Sequence, residues 1–169
     1  VIRNPFGSIT SSVVSLTVVG KTGHDRFADR FVIPGTSYKG GAYNLGATLE
    51  PGEPLHAGVP NTASLWWSWT APRSGLVGVN TTGSTKTAGG VLDTVLAVYE
   101  GDHLDALTQV VANDDQSFGV QVTSRVCFRA AAGKTYLIAT ASRLRNGVPP
   151  ASGFIALNLD LARSEEHTS

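Results

Sequence analysis

Acidic residues stand in pairs within segments whose composition predicts loops. Glu50 and Glu53 belong to the run Glu-Pro-Gly-Glu-Pro, in which two prolines restrict the backbone, and Asp114 and Asp115 follow Asn113 in a predicted turn. Calcium binds six to eight oxygen ligands, and carboxylates are prominent among them. These four acids are therefore candidate calcium ligands, and the proline-restricted pair is the first choice. The alternative for Asp114 and Asp115 is an ordinary turn, which Asn and Asp favour by themselves.

Residues that often serve in catalysis form no local signature. Outside the last seven residues the histidines are His24, His56 and His103, scattered over predicted loops, and neither Gly-x-Ser-x-Gly nor His-Glu-x-x-His occurs. Two Gly-Lys-Thr triplets, at 20–22 and 133–135, lack the upstream glycine of a phosphate-binding loop. We expect no catalytic residues and no organic cofactor. A triad assembled from distant residues is the alternative.

Three aromatic residues are candidate ligand contacts. All three tryptophans fall in one predicted strand, where Trp67 and Trp69 share a face that we assign to the core. Trp66 points to the opposite face, so we expect its truncation to destabilise the fold less. Tyr38 and Tyr43 lie in two short predicted strands of a glycine-rich segment. Together with Trp66 they could provide stacking surface for a sugar ring.

The overall composition excludes some classes of partner. The chain has 169 residues, 15% of them charged, and a formal net charge of zero. Such a balance indicates neither nucleic acid nor an anionic membrane as the partner. No apolar run approaches the roughly 20 residues that cross a bilayer. The single cysteine, Cys127, excludes an internal disulfide.

Strand and turn patterns predict an all-β protein. Alternating segments separated by Gly, Pro, Asn and Asp recur along the chain, which indicates a jelly-roll-like antiparallel β-sandwich. A short helical turn is expected after Asp25, with Phe27 and Phe31 against the core. Residues 76–80 are predicted to form a hairpin with the tryptophan strand. The inner layer is predicted to contain Leu65, Trp67, Trp69, Val126, Phe128, Ile155, Leu157 and Leu159.

The two ends differ from the central part. Residues 1–19 resemble the last hairpin of an immunoglobulin-like domain, with an Asn-x-x-Gly turn before a Thr-Ser-Ser-x-x-x-Leu-Thr-Val strand. We expect the body of that domain upstream, a linker at 20–26 and the sandwich at 27–162. The tail at 163–169, Arg-Ser-Glu-Glu-His-Thr-Ser, resembles a translated sequencing adapter, so we treat it as non-native.

Motifs in the central part resemble the bacterial pre-peptidase C-terminal family. They are Asp25-x-Phe27-Ala28, Glu50-Pro51-Gly52-Glu53-Pro54, Trp66-Trp67-Ser68-Trp69-Thr70-Ala71-Pro72, Asp93-Thr94-x-Leu96-Ala97-Val98-Tyr99, Asn113-Asp114-Asp115 and Ser124-Arg125-Val126. The resemblance implies a jelly-roll domain within a large secreted protein. Some relatives bind calcium near the opening segment. His24 stands where that family has Asn or Asp.

The resemblance also implies a function and a location. We expect a non-catalytic accessory module of a secreted or cell-surface bacterial protein, serving adhesion, substrate targeting or spacing. The expected partners are an extracellular protein or polysaccharide and the attached upstream immunoglobulin-like domain. A carbohydrate-binding module is the alternative, and an enzyme domain is less favoured than either.

Overall fold

The computed structural model describes residues 2–4, 7–9, 23–117, 120–148 and 150–162. Its first two strands, β1 (Ile2–Asn4) and β2 (Gly7–Ile9), form an antiparallel hairpin. The other strands are β3 (Phe31–Ile33), β4 (Ser37–Tyr43), β5 (Asn61–Thr70), β6 (Gly75–Asn80), β7 (Thr85–Lys86), β8 (Thr94–Glu100), β9 (Thr108–Asn113), β10 (Arg125–Ala130), β11 (Thr135–Arg143) and β12 (Gly153–Leu161). Short 3₁₀ turns cover Phe27–Asp29, His56–Gly58 and Leu104–Ala106. Within the described ranges no helix could cross a membrane.

Ten of these strands form two sheets. One sheet has the order β10-β6-β12-β4, with β7 also paired to β12, and the other has the order β3-β5-β11-β8-β9. All pairs are antiparallel except β3 with β5. The predicted all-β sandwich is therefore confirmed, with one parallel pair that the sequence did not indicate.

The core lies between the two sheets. Strand alternation sends every second side chain inward, and the inward row of β10 is buried while Arg125, Cys127 and Arg129 are exposed. The predicted inner layer is confirmed, because one buried cluster contains Leu65, Trp67, Trp69, Val126, Phe128, Ile155, Leu157 and Leu159. Strand β8 is buried on both faces over nearly its whole length, as its unbroken apolar sequence predicts.

The hairpin predicted for β5 and β6 is wrong. β5 pairs with β3 and β11, whereas β6 pairs with β10 and β12 in the opposite sheet. The Pro72 turn therefore carries the chain from one sheet to the other. Backbone bonds from Ala71 to Lys134 and from Gly133 to Ala71 fix this crossing beside the turn that precedes β11.

The predicted helical turn is present as the 3₁₀ turn Phe27–Asp29, but it is shorter than expected. Phe27 is buried, whereas Phe31 begins β3 and is partly exposed. Asp25 does not cap the turn. Its Oδ1 instead accepts a hydrogen bond from the backbone N–H of Thr48 at 2.7 Å.

His24, which falls within the predicted linker at 20–26, contacts the sandwich. The carbonyl of His24 accepts a hydrogen bond from the N–H of Trp66 at 2.8 Å, and the His24 ring stacks on Phe31 with centroids 5.2 Å apart. The β1–β2 hairpin agrees with the turn predicted at Asn4–Gly7. The rest of the predicted immunoglobulin-like strand, residues 10–22, and the tail at 163–169 lie outside the described residues.

Candidate functional site

One group of three carboxylates lies at the end of the sheet that contains β8, β9 and β11. Asp93 directly precedes β8, and Asp114 and Asp115 directly follow β9. Because β8 and β9 are antiparallel neighbours, the start of one meets the end of the other. One oxygen from each carboxylate lies within 4.8 Å of the others, the only such metal-ligand group found among the described residues.

Two arginines at the end of β11 neutralise part of this charge. Nε of Arg143 donates to Oδ2 of Asp114 at 2.9 Å. Nε of Arg145 donates to Oδ2 of Asp93 at 2.5 Å, and its guanidinium also reaches Oδ2 of Asp115 at 3.4 Å. Three carboxylates therefore face two guanidinium groups, which leaves one negative charge in excess.

The remaining oxygens of the acidic group lack donors. Oδ1 of Asp93, Oδ1 of Asp114 and Oδ1 of Asp115 are each buried without a hydrogen-bond partner. Burial raises the pKa of Asp114; the bond and charge of Arg143 oppose this, and the neighbouring Asp115 and Asp93 charges add to it. The carboxylates are thus crowded, and a cation would relieve that crowding.

The predicted pair Glu50 and Glu53 is used within the protein. Oε2 of Glu50 accepts the N–H of Phe27 at 2.5 Å, and Oε2 of Glu53 accepts the N–H of Glu50 at 2.8 Å. Oε1 of Glu53 lies 2.9 Å from Nε2 of His56. These contacts join the 50–58 loop to the 3₁₀ turn at Phe27 and fix its own conformation. The preference for Glu50 and Glu53 over Asp114 and Asp115 as calcium ligands therefore has no support in this geometry.

A buried polar chain continues from Glu53 through His56 to Tyr99. Nδ1 of His56 lies 2.8 Å from the Tyr99 hydroxyl. Burial, with the charge of Glu53, raises the pKa of Tyr99, so the hydroxyl stays protonated and can donate to Nδ1. A carboxylate, an imidazole and a hydroxyl in sequence resemble a nucleophile and its base. The side chains of Glu53 and His56 are at most 2% exposed and Tyr99 is 2% exposed, so a substrate cannot reach them in this conformation.

The prediction that Trp66 offers a ligand surface is wrong. Strand alternation does place it on the face opposite Trp67, but its exposed fraction is 0%. Phe27 and His56 cover its indole edge-on, with ring centroids 5.2 and 5.3 Å away. Both belong to 3₁₀ turns that fold over the outer face of the sheet and complete a second core, whose buried residues are Phe27, Trp66, Ala97, Tyr99, Leu137 and Ala139.

A trough crosses the outer face of the sheet β10-β6-β12-β4, with a volume of about 750 Å³. Strand register aligns two rows of residues across its four strands. The first row is Arg125, Asn80, Asn158 and Lys39, and the second is Cys127, Gly78, Asp160 and Ser37. Two hydrogen bonds hold the side-chain amide of Asn158 in place at the middle of the trough. Its Nδ2 donates to Oδ1 of Asn80 at 3.1 Å and to the carbonyl of Thr82 at 3.0 Å. The trough therefore presents amides between two cationic edges.

The predicted tyrosines lie on opposite faces of β4. Tyr38 points inward and packs against the core, although it also borders the trough. Tyr43 points outward, is 61% exposed, and meets the ring of Phe154 at 5.4 Å. Between Tyr43 and the trough the outward position is Gly41, where a Cβ would collide with the carbonyl of Ile155. An aromatic pair and the polar rows thus share one face, with Gly41 between them and the Phe154 ring close to its Cα.

Two features escaped the sequence analysis. Asp93 was not grouped with Asp114 and Asp115 from the sequence. Asp93 comes just before β8 and the other two come just after β9, and residues in these positions meet whenever two successive strands form a hairpin. The trough residues carry no motif, because they align only through strands distant in sequence. The chain matches no family model and shows no significant similarity to a curated protein.

Proposed function

We propose that this chain is a non-catalytic accessory module that binds an extended polymer through the trough. The observation that carries the proposal is the pair of residue rows aligned across four strands. Three strand spacings of about 4.8 Å make such a row roughly 14 Å wide, which suits a chain lying across the sheet better than a small enclosed ligand. Lys39 and Arg125 stand on opposite edges of the row.

The burial of the Glu53–His56–Tyr99 chain supports a non-catalytic role. It is the arrangement closest to a catalytic one that we find among the described residues, and the two 3₁₀ turns close it off. A secreted or cell-surface location, within a bacterial multidomain protein and after an immunoglobulin-like domain, is part of the proposal. That part rests on the sequence resemblance.

A carbohydrate-binding module is the second candidate, and one observation favours it. The exposed Tyr43 and the partly buried Phe154 form an edge-to-face pair on the face that carries the trough. Aromatic side chains offer flat apolar surface with a polar rim, and amides hydrogen-bond well to hydroxyl groups. The amides of Asn80 and Asn158 would then bind sugar hydroxyls while Tyr43 packs against a ring.

The test uses Cys127 as a reporter, because it is exposed and borders the trough. The thiol is labelled with an environment-sensitive fluorophore, and the chain is titrated with a neutral glucan, an acidic polyuronate and soluble extracellular matrix proteins. Binding is then measured on unlabelled chain by calorimetry. We expect Lys39→Ala to weaken binding, whereas Lys86→Ala, an exposed lysine outside the trough, leaves it unchanged. A polymer bound equally well by both variants would contradict the assignment of the trough.

The second candidate has its own decisive result. Tyr43→Ala should weaken binding to a polysaccharide on the order of tenfold, since stacking contributes about 1 kcal/mol or more. A different result would contradict the carbohydrate-binding module and support the accessory module. In that case a matrix protein binds, Lys39→Ala abolishes this binding, and no polysaccharide binds.

A further inference from the structure

We propose that Asp93, Asp114 and Asp115 form a calcium site at the end of the sheet that contains β8, β9 and β11. The trough of the proposed function lies on the other sheet. The starting observation is geometric, because one oxygen from each of three carboxylates lies within 4.8 Å of the others. Calcium–oxygen distances are about 2.3–2.6 Å, so oxygens bound on opposite sides of one ion stand about 4.6–5.2 Å apart. The three carboxylates therefore fit a single calcium shell.

Buried oxygens without donors are the second, independent observation. The side chain of Asp115 is only 5% exposed, and its Oδ1 has no hydrogen-bond partner. Oδ1 of Asp93 and Oδ1 of Asp114 are buried and unpaired in the same way. A buried carboxylate oxygen without a donor is costly, and neighbouring carboxylates raise each other's free energy by repulsion. A cation bound by these three carboxylates would relieve both costs.

The two arginines leave one oxygen of each carboxylate without a donor. Arg143 and Arg145 bind only Oδ2 atoms, on all three carboxylates. They hold the carboxylates in place and compensate two of the three charges. The calcium ion compensates the third carboxylate charge, and water molecules complete its coordination shell. Magnesium fits less well, since it requires a smaller octahedral shell and retains its water.

The test is calorimetric titration of the full chain with calcium, after removal of bound metal with a chelator. We expect one site per chain, and an unfolding constant about a hundredfold smaller at a calcium concentration of 100 Kd. Asp93→Asn and Asp115→Asn should each weaken binding by tenfold or more, because each removes a ligand charge. Asp105→Asn, an exposed aspartate in the 3₁₀ turn Leu104–Ala106, is the matched control and should bind like the native chain.

Two outcomes would overturn the site. Absence of heat up to millimolar calcium, with equal melting temperatures in calcium and chelator, would mean that water and the two arginines satisfy the carboxylates alone. Undiminished binding in Asp93→Asn and Asp115→Asn would place the ion elsewhere. If these variants fail to fold, amide chemical shifts of the native chain decide. Calcium should move residues 93–94 and 113–116 first, and shifts centred on 50–53 would contradict the proposal.

Discussion

The three tryptophans of β5 offer a test that separates burial from hydrogen bonding. All three indoles are fully buried. Nε1 of Trp69 donates to the carbonyl of Gly35 at 2.8 Å, whereas Nε1 of Trp66 and Nε1 of Trp67 have no acceptor. Replacement by Phe removes a similar part of the ring at each site but breaks a hydrogen bond at only one. The differences among the three variants therefore report that bond.

The expected magnitudes follow from these contacts. Replacing an indole by a phenyl ring removes roughly 40–50 Å² of buried apolar area, about 1 kcal/mol of stability, and the residual cavity adds to this loss. At Trp69 the broken hydrogen bond adds about 1 kcal/mol. At Trp66 and Trp67 the removed N–H was unpaired, so relief of its desolvation offsets part of the loss. We expect roughly 2–3 kcal/mol for Trp69→Phe and about 1 kcal/mol or less for the others.

Urea unfolding followed by far-ultraviolet circular dichroism measures these values without depending on tryptophan fluorescence. The slope against urea should be the same in all variants, as a shared unfolding transition requires. Trp66→Ala and Trp67→Ala should each cost about 3–5 kcal/mol, because both side chains are enclosed. A Trp66→Ala variant clearly milder than Trp67→Ala would refute the second core. Trp69→Phe as the mildest of the three Phe variants would refute the hydrogen-bond argument.

Two further predictions concern polar groups in the second core and beside β5. Tyr99→Phe leaves Nδ1 of His56 without a donor and should cost about 1–3 kcal/mol in urea unfolding, whereas Tyr43→Phe at the surface should cost almost nothing. Burial lowers the pKa of His24, so its neutral form is favoured in the fold. Its contribution to stability is complete above the ordinary histidine pKa of about 6.5 and is lost as the pH falls through the lowered value. The melting temperature should fall in that window, and His24→Phe should reduce the fall; an unchanged pH profile would contradict this.

Strand alternation predicted the inner layer because it depends only on neighbouring residues. Trp67, Phe128 and Leu157 could each be assigned to the core from the period of two along their own strands. The same period assigned Trp66 to the opposite face correctly. It could not show that this face is covered, because the covering residues Phe27 and His56 come from turns distant in sequence.

Sheet membership and the acidic group were harder to predict for the same reason. The Pro72 turn has the composition of a hairpin turn, yet a turn fixes only a change of direction. Whether β6 stays beside β5 depends on its pairing with β10 and β12. Likewise, Asp114 and Asp115 could be noticed from their own turn. Asp93 becomes their neighbour only through the pairing of β8 with β9.

The position of β12 has a consequence for synthesis of the chain. β12 lies between β6 and β4, and these two strands do not pair with each other. During translation β4 emerges early, but its edge stays open until β12 has been made. Contacts between segments so far apart give a high contact order and a large loop-closure entropy, so folding should be slow and should not be complete before β12 has been synthesised. Until then the glycine-rich edge of β4 is open to pairing with other chains.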